Sequence, residues 1–170
     1  IYSEMKKKGY DLVPYVNSVT EIPDKGITGY IESPRYSTGY AALHNTIGFM
    51  PETHMLKDFD QRVESTYKLL NTYIDIIVRD AKVIGENKRK ADAYTAAQKD
   101  FPLDWKLNRS VLDSIEFKGF EAKYKPSEVS GIDRLYYDRN APFTKKIKYW
   151  DKFEPSLTVT KPIAYIIPKA

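Results

Sequence analysis

Three absences narrow what this chain of 170 residues can be. It contains no cysteine, which excludes disulfide bonds and thiolate metal sites. It has only two histidines, His44 and His54, so nitrogen ligands for a transition metal are scarce. No apolar run approaches the roughly 18 residues of a membrane-spanning helix, and no signal peptide is recognisable, so we expect no membrane span.

The composition is that of a folded protein. Hydrophobic residues make up 42% of the chain, which is enough for a core. The net charge of +4 is mild, and its densest cluster, Lys88–Lys90, continues a helical pattern and is expected to be a solvated helix face. The 14 tyrosines fall mostly at alternating or helical spacing, which indicates packing rather than stacking on single-stranded nucleic acid. We therefore expect no nucleic-acid partner.

The first forty residues are predicted to be a helix end followed by a loop. Residues 1–10 have the pattern of the last turns of a helix ending at Gly9, with lysines where the helix dipole favours them. Such a helix would begin before residue 1, so we expect the chain to be cut inside a fold. Residues 11–40 are rich in Pro, Gly, Ser and Thr and are predicted to be irregular, with one short strand at 29–32. A loop of this length is usually functional.

A long amphipathic helix is predicted after Met55. Apolar residues recur there at spacings of three and four, which marks one helix face. The residues of this face are Phe59, Val63, Tyr67, Leu70, Ile74, Ile77 and Ala81. Asp58 or Asp60 is placed to cap the helix start or to favour its dipole, and Gly85 is placed to break or kink the helix.

A short buried strand is predicted just before this helix. The run Ile47–Met50 is apolar and bounded by polar residues. A strand here would deliver Glu52 and His54, two residues apart, to the same side of its C-terminal end. In open α/β sheets that end is where ligands bind.

The remainder of the chain is predicted to be mostly antiparallel β. Alternating or β-branched segments occur at 114–124, 135–137, 147–150 and 157–167. Turn signals separate them: Ser130-Gly131, Asn140-Ala-Pro142 and Glu154-Pro155. Trp150 with Tyr136-Tyr137 is consistent with either a sugar-stacking platform or core packing.

Residues 33–57, SPRYSTGYAALHNTIGFMPETHMLK, resemble the zinc carboxypeptidases of the carboxypeptidase A type, in particular a bacterial branch. The resemblance extends to the KPSEVSG and LYYDR segments of the β-rich part. It implies an α/β fold, namely the end of a doubly wound carboxypeptidase-like sheet with a long C-terminal helix, followed by a β-rich region. It divides the chain into a catalytic portion, 1–102, and an accessory region, 103–170.

The resemblance assigns Glu52 the role of general base, which takes a proton from the attacking water and gives it to the leaving amine. The alternative is an exposed glutamate paired with Lys57 or Arg62. His54 is placed to orient Glu52 or the substrate, or is an ordinary strand-end histidine. Arg35 is a candidate for binding the terminal carboxylate of the substrate, since a guanidinium does so bidentately.

A phenol near the scissile bond is also implied, and Tyr30, Tyr36 and Tyr40 compete for that role. Tyr36 and Tyr40 are the substrate-binding candidates. Their alternative role is loop anchoring, with Gly39 supplying a positive φ.

The zinc ligands of such an enzyme are not in this sequence. The family uses a His-x-x-Glu pair and a later histidine, but His44 is followed by Asn-Thr-Ile and His54 by Met-Leu-Lys. Zinc is therefore implied for the parent protein, with ligands outside this chain, and no metal ligand is assigned here. A different site made by His44, Glu52 and His54 stays open.

The sequence thus predicts part of a bacterial, zinc-dependent carboxypeptidase-like peptidase that acts on peptide C-termini and is inactive as this chain alone. A homodimer through the face exposed by truncation is expected, and the family implies a secreted or periplasmic location. The alternative is a non-catalytic module whose β-rich half recognises cell-wall peptide or glycan.

Overall fold

The computed structural model describes residues 1–168 and divides into two units. Unit 1 joins Ile1–Leu12, Ile31–Asp104 and the segment from Ser156 onward, and unit 2 joins Val13–Tyr30 and Trp105–Pro155. No helix among the described residues is both long and apolar enough to cross a membrane. The division between a catalytic and an accessory portion at residue 102 stays a prediction.

Unit 1 is built on three helices. They are α1 (Tyr2–Lys7), α2 (Ser37–Leu43) and α3 (Phe59–Ala97). The predicted helix end near Gly9 is confirmed, since α1 stops at Lys7 and Gly9 adopts φ 86°, which glycine tolerates without a Cβ penalty. Met5 of α1 is buried, and the Thr72 hydroxyl of α3 lies 3.4 Å from its sulfur. This contact between α1 and α3 forms the small core of unit 1.

The long helix is confirmed, with Asp58 at its N-cap position, without a side-chain capping bond, and Asp60 in its first turn. The predicted break at Gly85 is wrong: the helix continues to Ala97, because a single interior glycine costs only about 1 kcal/mol. More importantly, the side of α3 that is covered carries Leu69 and Thr72, whereas the predicted apolar face from Phe59 to Ile77 is exposed.

The predicted buried strand at Ile47–Met50 is wrong. These residues have no regular secondary structure, and Ile47 is 69% exposed. A strand is stable only when its backbone groups pair with a neighbour, and no strand of the described chain pairs with this segment. Phe49 instead stacks on Tyr73 of α3, with ring centroids 5.1 Å apart.

Unit 2 contains a four-stranded sheet in the order β1-β2-β5-β4. Its strands are β1 (Asn17–Ser18), β2 (Ile27–Thr28), β4 (Asp113–Pro126) and β5 (Asp133–Trp150). The pairs β1–β2 and β4–β5 are antiparallel, and β2–β5 is parallel. The strand predicted at 29–32 is therefore misplaced, since the observed strand β2 ends at Thr28. Helix α2 occupies part of the stretch 11–40 that was predicted to be a loop.

The β4–β5 hairpin holds the core of unit 2. Ile27, Phe117 and Ile147 are the buried residues, at 0%, 8% and 2% exposure. The Ser130-Gly131 turn is confirmed, with Gly131 at φ 71°. The predicted turn at Asn140-Ala-Pro142 is wrong, because β5 runs through it as a bulge: Phe120 pairs with Pro142 and the next residue, Glu121, with Asp138.

A separate two-stranded sheet pairs β3 (Asp100–Leu107) with β6 (Phe153–Thr160). β3 was not predicted. β6 runs through the predicted turn at Glu154-Pro155, and it ends at Thr160, before the end of the strand predicted at 157–167. The coarse prediction is confirmed: mixed helix and sheet, with a long helix followed by mostly antiparallel strands. The carboxypeptidase-like arrangement stays a prediction.

Candidate functional site

The candidate residues Arg35, Tyr36 and Tyr40 surround the start of α2, and all three are exposed. Tyr36 is the N-cap residue, with an extended backbone at φ −102° and ψ 156°. Its N–H donates to the Ser33 carbonyl at 3.0 Å, which closes a turn around Pro34 and Arg35. The guanidinium and the two phenols are thus presented outward from one helix end.

Gly39 fixes this turn, and the reason is space rather than a positive φ. It lies inside α2 and is buried. A Cβ built on it would lie 2.6 Å from the Glu32 carbonyl oxygen and closer still to that of Ser33. Only a hydrogen fits there, so the backbone of residues 32–33 crosses directly over α2. The predicted positive φ at Gly39 is wrong.

Four polar side chains tie the end of α2 to α3, and we call them the polar clamp: Asn45, Lys88, Asp92 and Thr95. The Asn45 amide donates to Asp92 at 3.0 Å and to Thr95 at 3.2 Å. The Lys88 ammonium donates to the His44 carbonyl at 2.8 Å and to both Asp92 oxygens at 3.1 Å. These bonds hold the pKa of Asp92 below its usual value, and the bond from Asn45 has the larger effect, followed by the bonds from Lys88.

The clamp adds contacts and residues that the sequence analysis missed. Lys88–Lys90 are exposed, as predicted for a solvated face, and Lys88 also bonds to the end of α2. The only sequence pattern that involves these residues is the four-residue spacing between Lys88 and Asp92, and nothing in the sequence indicated Thr95. Asn45 itself adopts φ 49°, a left-handed conformation that asparagine tolerates better than most residues. The clamp therefore anchors residues 44–45 to α3, just before the irregular segment that carries Glu52.

Glu52 lies in the irregular stretch between α2 and α3 and is exposed. Within residues 1–168 it forms no ion pair with Lys57 or Arg62, so the alternative of a paired surface glutamate is not realised. Because the preceding segment is not a strand, the alternation argument that placed Glu52 and His54 on one side does not apply here.

His54 bonds to its own turn. Its Nδ1 accepts a hydrogen bond from the Leu56 N–H at 3.1 Å, and its carbonyl accepts from the Lys57 N–H at 3.0 Å. These two bonds engage Nδ1 and the carbonyl of His54 and stabilise the turn. The role of His54 in orienting Glu52 or the substrate stays a prediction.

The open alternative of a metal site at His44, Glu52 and His54 gains no support. No three His, Cys, Asp or Glu side chains of the described chain group in a way that could hold a metal ion. His44 instead contacts the Tyr40 ring, with centroids 4.8 Å apart. The phenol candidate Tyr40 thus packs within its own helix.

Tyr30, the third candidate for the phenol role, belongs to unit 2. It forms an edge-to-face contact with Tyr15, with ring centroids 5.6 Å apart. Tyr36 and Tyr40 remain the candidates that accompany Arg35 on the segment 33–57.

The possible sugar platform in unit 2 does not form as a single cluster. Tyr136 and Tyr137 are successive residues of β5 and therefore face opposite sides of the sheet. Tyr136 lies under the Lys125 ammonium, and Trp150 is contacted by the Arg109 guanidinium. Tyr136 and Trp150 thus contact different cations.

The segment 33–57 is thus one continuous stretch, held by the Gly39 crossing, by the polar clamp and by the Phe49–Tyr73 stack, and it exposes a guanidinium, two phenols and a carboxylate. Such a set can bind an anionic group and exchange a proton. Compared with protein-family models, with curated proteins and with solved structures, the chain matches none.

Proposed function

We propose that this chain is part of a zinc-dependent, carboxypeptidase-like peptidase, to which it contributes the general base Glu52 and part of the pocket for the substrate's C-terminus. The observation that supports it is the segment 33–57. Its exposed Arg35 and Glu52 carry the groups that the chemistry needs, and neither is engaged in a side-chain bond within residues 1–168. The doubly wound sheet that α3 would close belongs to this proposal.

Each residue has a defined task. Arg35 binds the terminal carboxylate through two parallel N–H···O bonds, and the turn closed by Tyr36 and Ser33 positions its backbone. The phenol of Tyr36 or Tyr40 donates to a substrate oxygen near the scissile bond. Glu52 accepts a proton from the attacking water and passes it to the leaving amine.

Zinc, held by residues outside this chain, would lower the pKa of the attacking water and polarise the scissile carbonyl. Neither histidine here opens a His-x-x-Glu pair, so we expect the chain alone to bind no catalytic zinc and to hydrolyse no peptide. Export from a bacterial cell and self-association of the chain are parts of the same proposal.

The first experiment tests Glu52 in the complete protein that contains this chain. Glu52→Gln keeps the shape of the side chain but removes the base, and general acid–base catalysis contributes about 10²–10⁴-fold to rate. We expect kcat to fall by that factor, with KM and bound zinc unchanged. Glu128→Gln, an exposed glutamate between β4 and β5, is the matched control. A kcat equal to wild type in Glu52→Gln would refute the assignment.

A second experiment tests the carboxylate pocket in the chain as it stands. A peptide with a free C-terminus and the same peptide amidated are titrated separately into ¹⁵N-labelled protein. We expect only the free carboxylate to shift the amides of residues 35–40, and Arg35→Gln to abolish those shifts. Equal shifts with both peptides, or shifts confined to residues after 103, would favour the binding-module alternative instead.

A further inference from the structure

Helix α3 carries an exposed apolar stripe, which we call the α3 seam: Phe59, Val63, Tyr67, Leu70, Ile74, Ile77 and Ala81. From Val63 onward the members are spaced four, three, four, three and four residues apart. That is a repeat of 3.5 residues per turn, the a/d pattern of a left-handed helix pair. All seven members are exposed.

The seam is distinct from the side of α3 that unit 1 already covers. At about 100° per residue, the centre of the seam lies roughly 145° around the helix axis from the midpoint of Leu69 and Thr72. Thr72 accepts a hydrogen bond from the Lys8 ammonium at 2.7 Å and contacts Met5, so that side is occupied. The charged residues Glu64, Lys68, Asp75 and Lys82 lie on a third side. The helix therefore has two apolar sides, of which one is uncovered.

The uncovered area has the size of an interface. The aromatic and aliphatic members expose on the order of 800 Å² in total, since one fully exposed Phe or Tyr presents about 150–250 Å². The largest apolar patch of a typical monomer is about 300–600 Å², whereas a standard interface buries about 800 Å² on each partner. The seam thus exposes about as much area as one partner of a standard interface buries.

The helix dipoles favour one orientation of such a pair. In an antiparallel pair the two α3 dipoles run in opposite directions, which is the favourable electrostatic arrangement.

We propose that two copies of this chain pair through the α3 seam in antiparallel orientation. Layers of a against d residues then place Val63 against Ala81, Tyr67 against Ile77, and Leu70 against Ile74 of the second copy. The seam ends where Lys88 and Asp92 replace apolar residues on the same side. The pairing gives a defined surface to the self-association that the proposed function includes, and it does not require peptidase activity.

The first test measures mass in solution. Sedimentation equilibrium of the intact chain at 1–100 µM is expected to give twice 19.7 kDa, whereas a monomer over that whole range would overturn the proposal. Ile74→Glu places a charge at the centre of the seam, and we expect dimer affinity to fall at least about 100-fold. An unchanged helical circular dichroism signal shows that the variant is folded.

A matched pair of variants shows which side of α3 is used. Val63, in the seam, and Val83, outside it, are both exposed valines, at 51% and 57%. Val63→Glu is expected to weaken the dimer at least about tenfold and Val83→Glu less than about twofold. Equal effects, or a dimer that survives both Val63→Glu and Ile74→Glu, would refute the seam as the interface.

Orientation is tested by disulfide formation, because the chain has no cysteine of its own. Val63→Cys and Ala81→Cys are prepared separately and then oxidised alone or as a mixture. Antiparallel pairing predicts cross-linking only in the mixture, since a disulfide needs Cα atoms closer than about 7 Å. Cross-linking of Val63→Cys alone would show a parallel pair and overturn the proposed geometry.

Discussion

Gly39→Ala is the sharpest test of how the candidate segment is held. The new Cβ would lie 2.6 Å from the Glu32 carbonyl oxygen and closer to that of Ser33. Both obstacles are backbone atoms, which cannot rotate away as the end of a flexible side chain does. The backbone of residues 32–33 must therefore move away from α2, and the 3.0 Å bond from the Tyr36 N–H to the Ser33 carbonyl weakens.

The magnitude follows from two opposing effects. Overpacking a filled site costs about 1–3 kcal/mol, whereas alanine in place of glycine within a helix returns up to about 1 kcal/mol. We expect a net loss of about 1–2 kcal/mol in the local opening free energy, which corresponds to about 5- to 30-fold faster opening because 1.36 kcal/mol is tenfold.

The assay is amide hydrogen exchange at Tyr36, whose N–H closes the turn. Gly85→Ala is the matched control, because the only atom that its Cβ would meet is an Arg89 side-chain nitrogen at 3.6 Å. That variant should slow exchange near residue 85 by about fivefold, from the propensity gain alone. If Gly39→Ala slowed exchange at Tyr36 as well, the crossing of residues 32–33 over α2 would be refuted.

Two further predictions concern the unit 2 core and the polar clamp. Ile147→Ala should lower the free energy of unfolding of unit 2 by about 2–5 kcal/mol in urea titration, whereas Val129→Ala, at 98% exposure, should change it by less than about 0.5 kcal/mol; equal effects would contradict the assigned core. Because its folded-state pKa is lowered, ionised Asp92 stabilises the clamp at neutral pH. This contribution is lost as the pH falls below the ordinary value of 3.8 and through the lowered pKa. Exchange at the Thr46 amide, bonded to the Ala41 carbonyl, should accelerate in that pH range in wild type but show no such step in Asp92→Asn.

The elements that could be predicted from the sequence are those fixed by short-range patterns. The long helix, the helix end at Gly9 and the Ser130-Gly131 turn are confirmed, because backbone propensity and turn chemistry act within a few residues. The predictions of a helix break at Gly85 and of a turn at 140–142 were wrong. In both places the backbone hydrogen bonds of a long helix or a long strand pair outweigh the unfavourable local residues.

The candidate segment could be predicted only as a set of residues. Arg35, Tyr36 and Tyr40 lie around the start of α2, a helix that was not predicted, since this stretch was expected to be an irregular loop. The clamp partners Lys88 and Asp92 lie more than 40 residues after His44, and no local pattern indicates a contact over that separation. Gly39 illustrates the same limit, since the need for glycine comes from a crossing backbone rather than from its own φ.

The sequence by itself determined that α3 would be a helix with an apolar stripe, and that Ile47–Met50 would be an apolar stretch before an acidic residue. Only the tertiary structure decided that α1 covers a different side of α3, and that residues 47–50 lie irregular and exposed. The physical reason is that periodicity records which residues are apolar, whereas burial and strand formation also require a partner surface. For the α3 seam, we propose that the partner is a second copy.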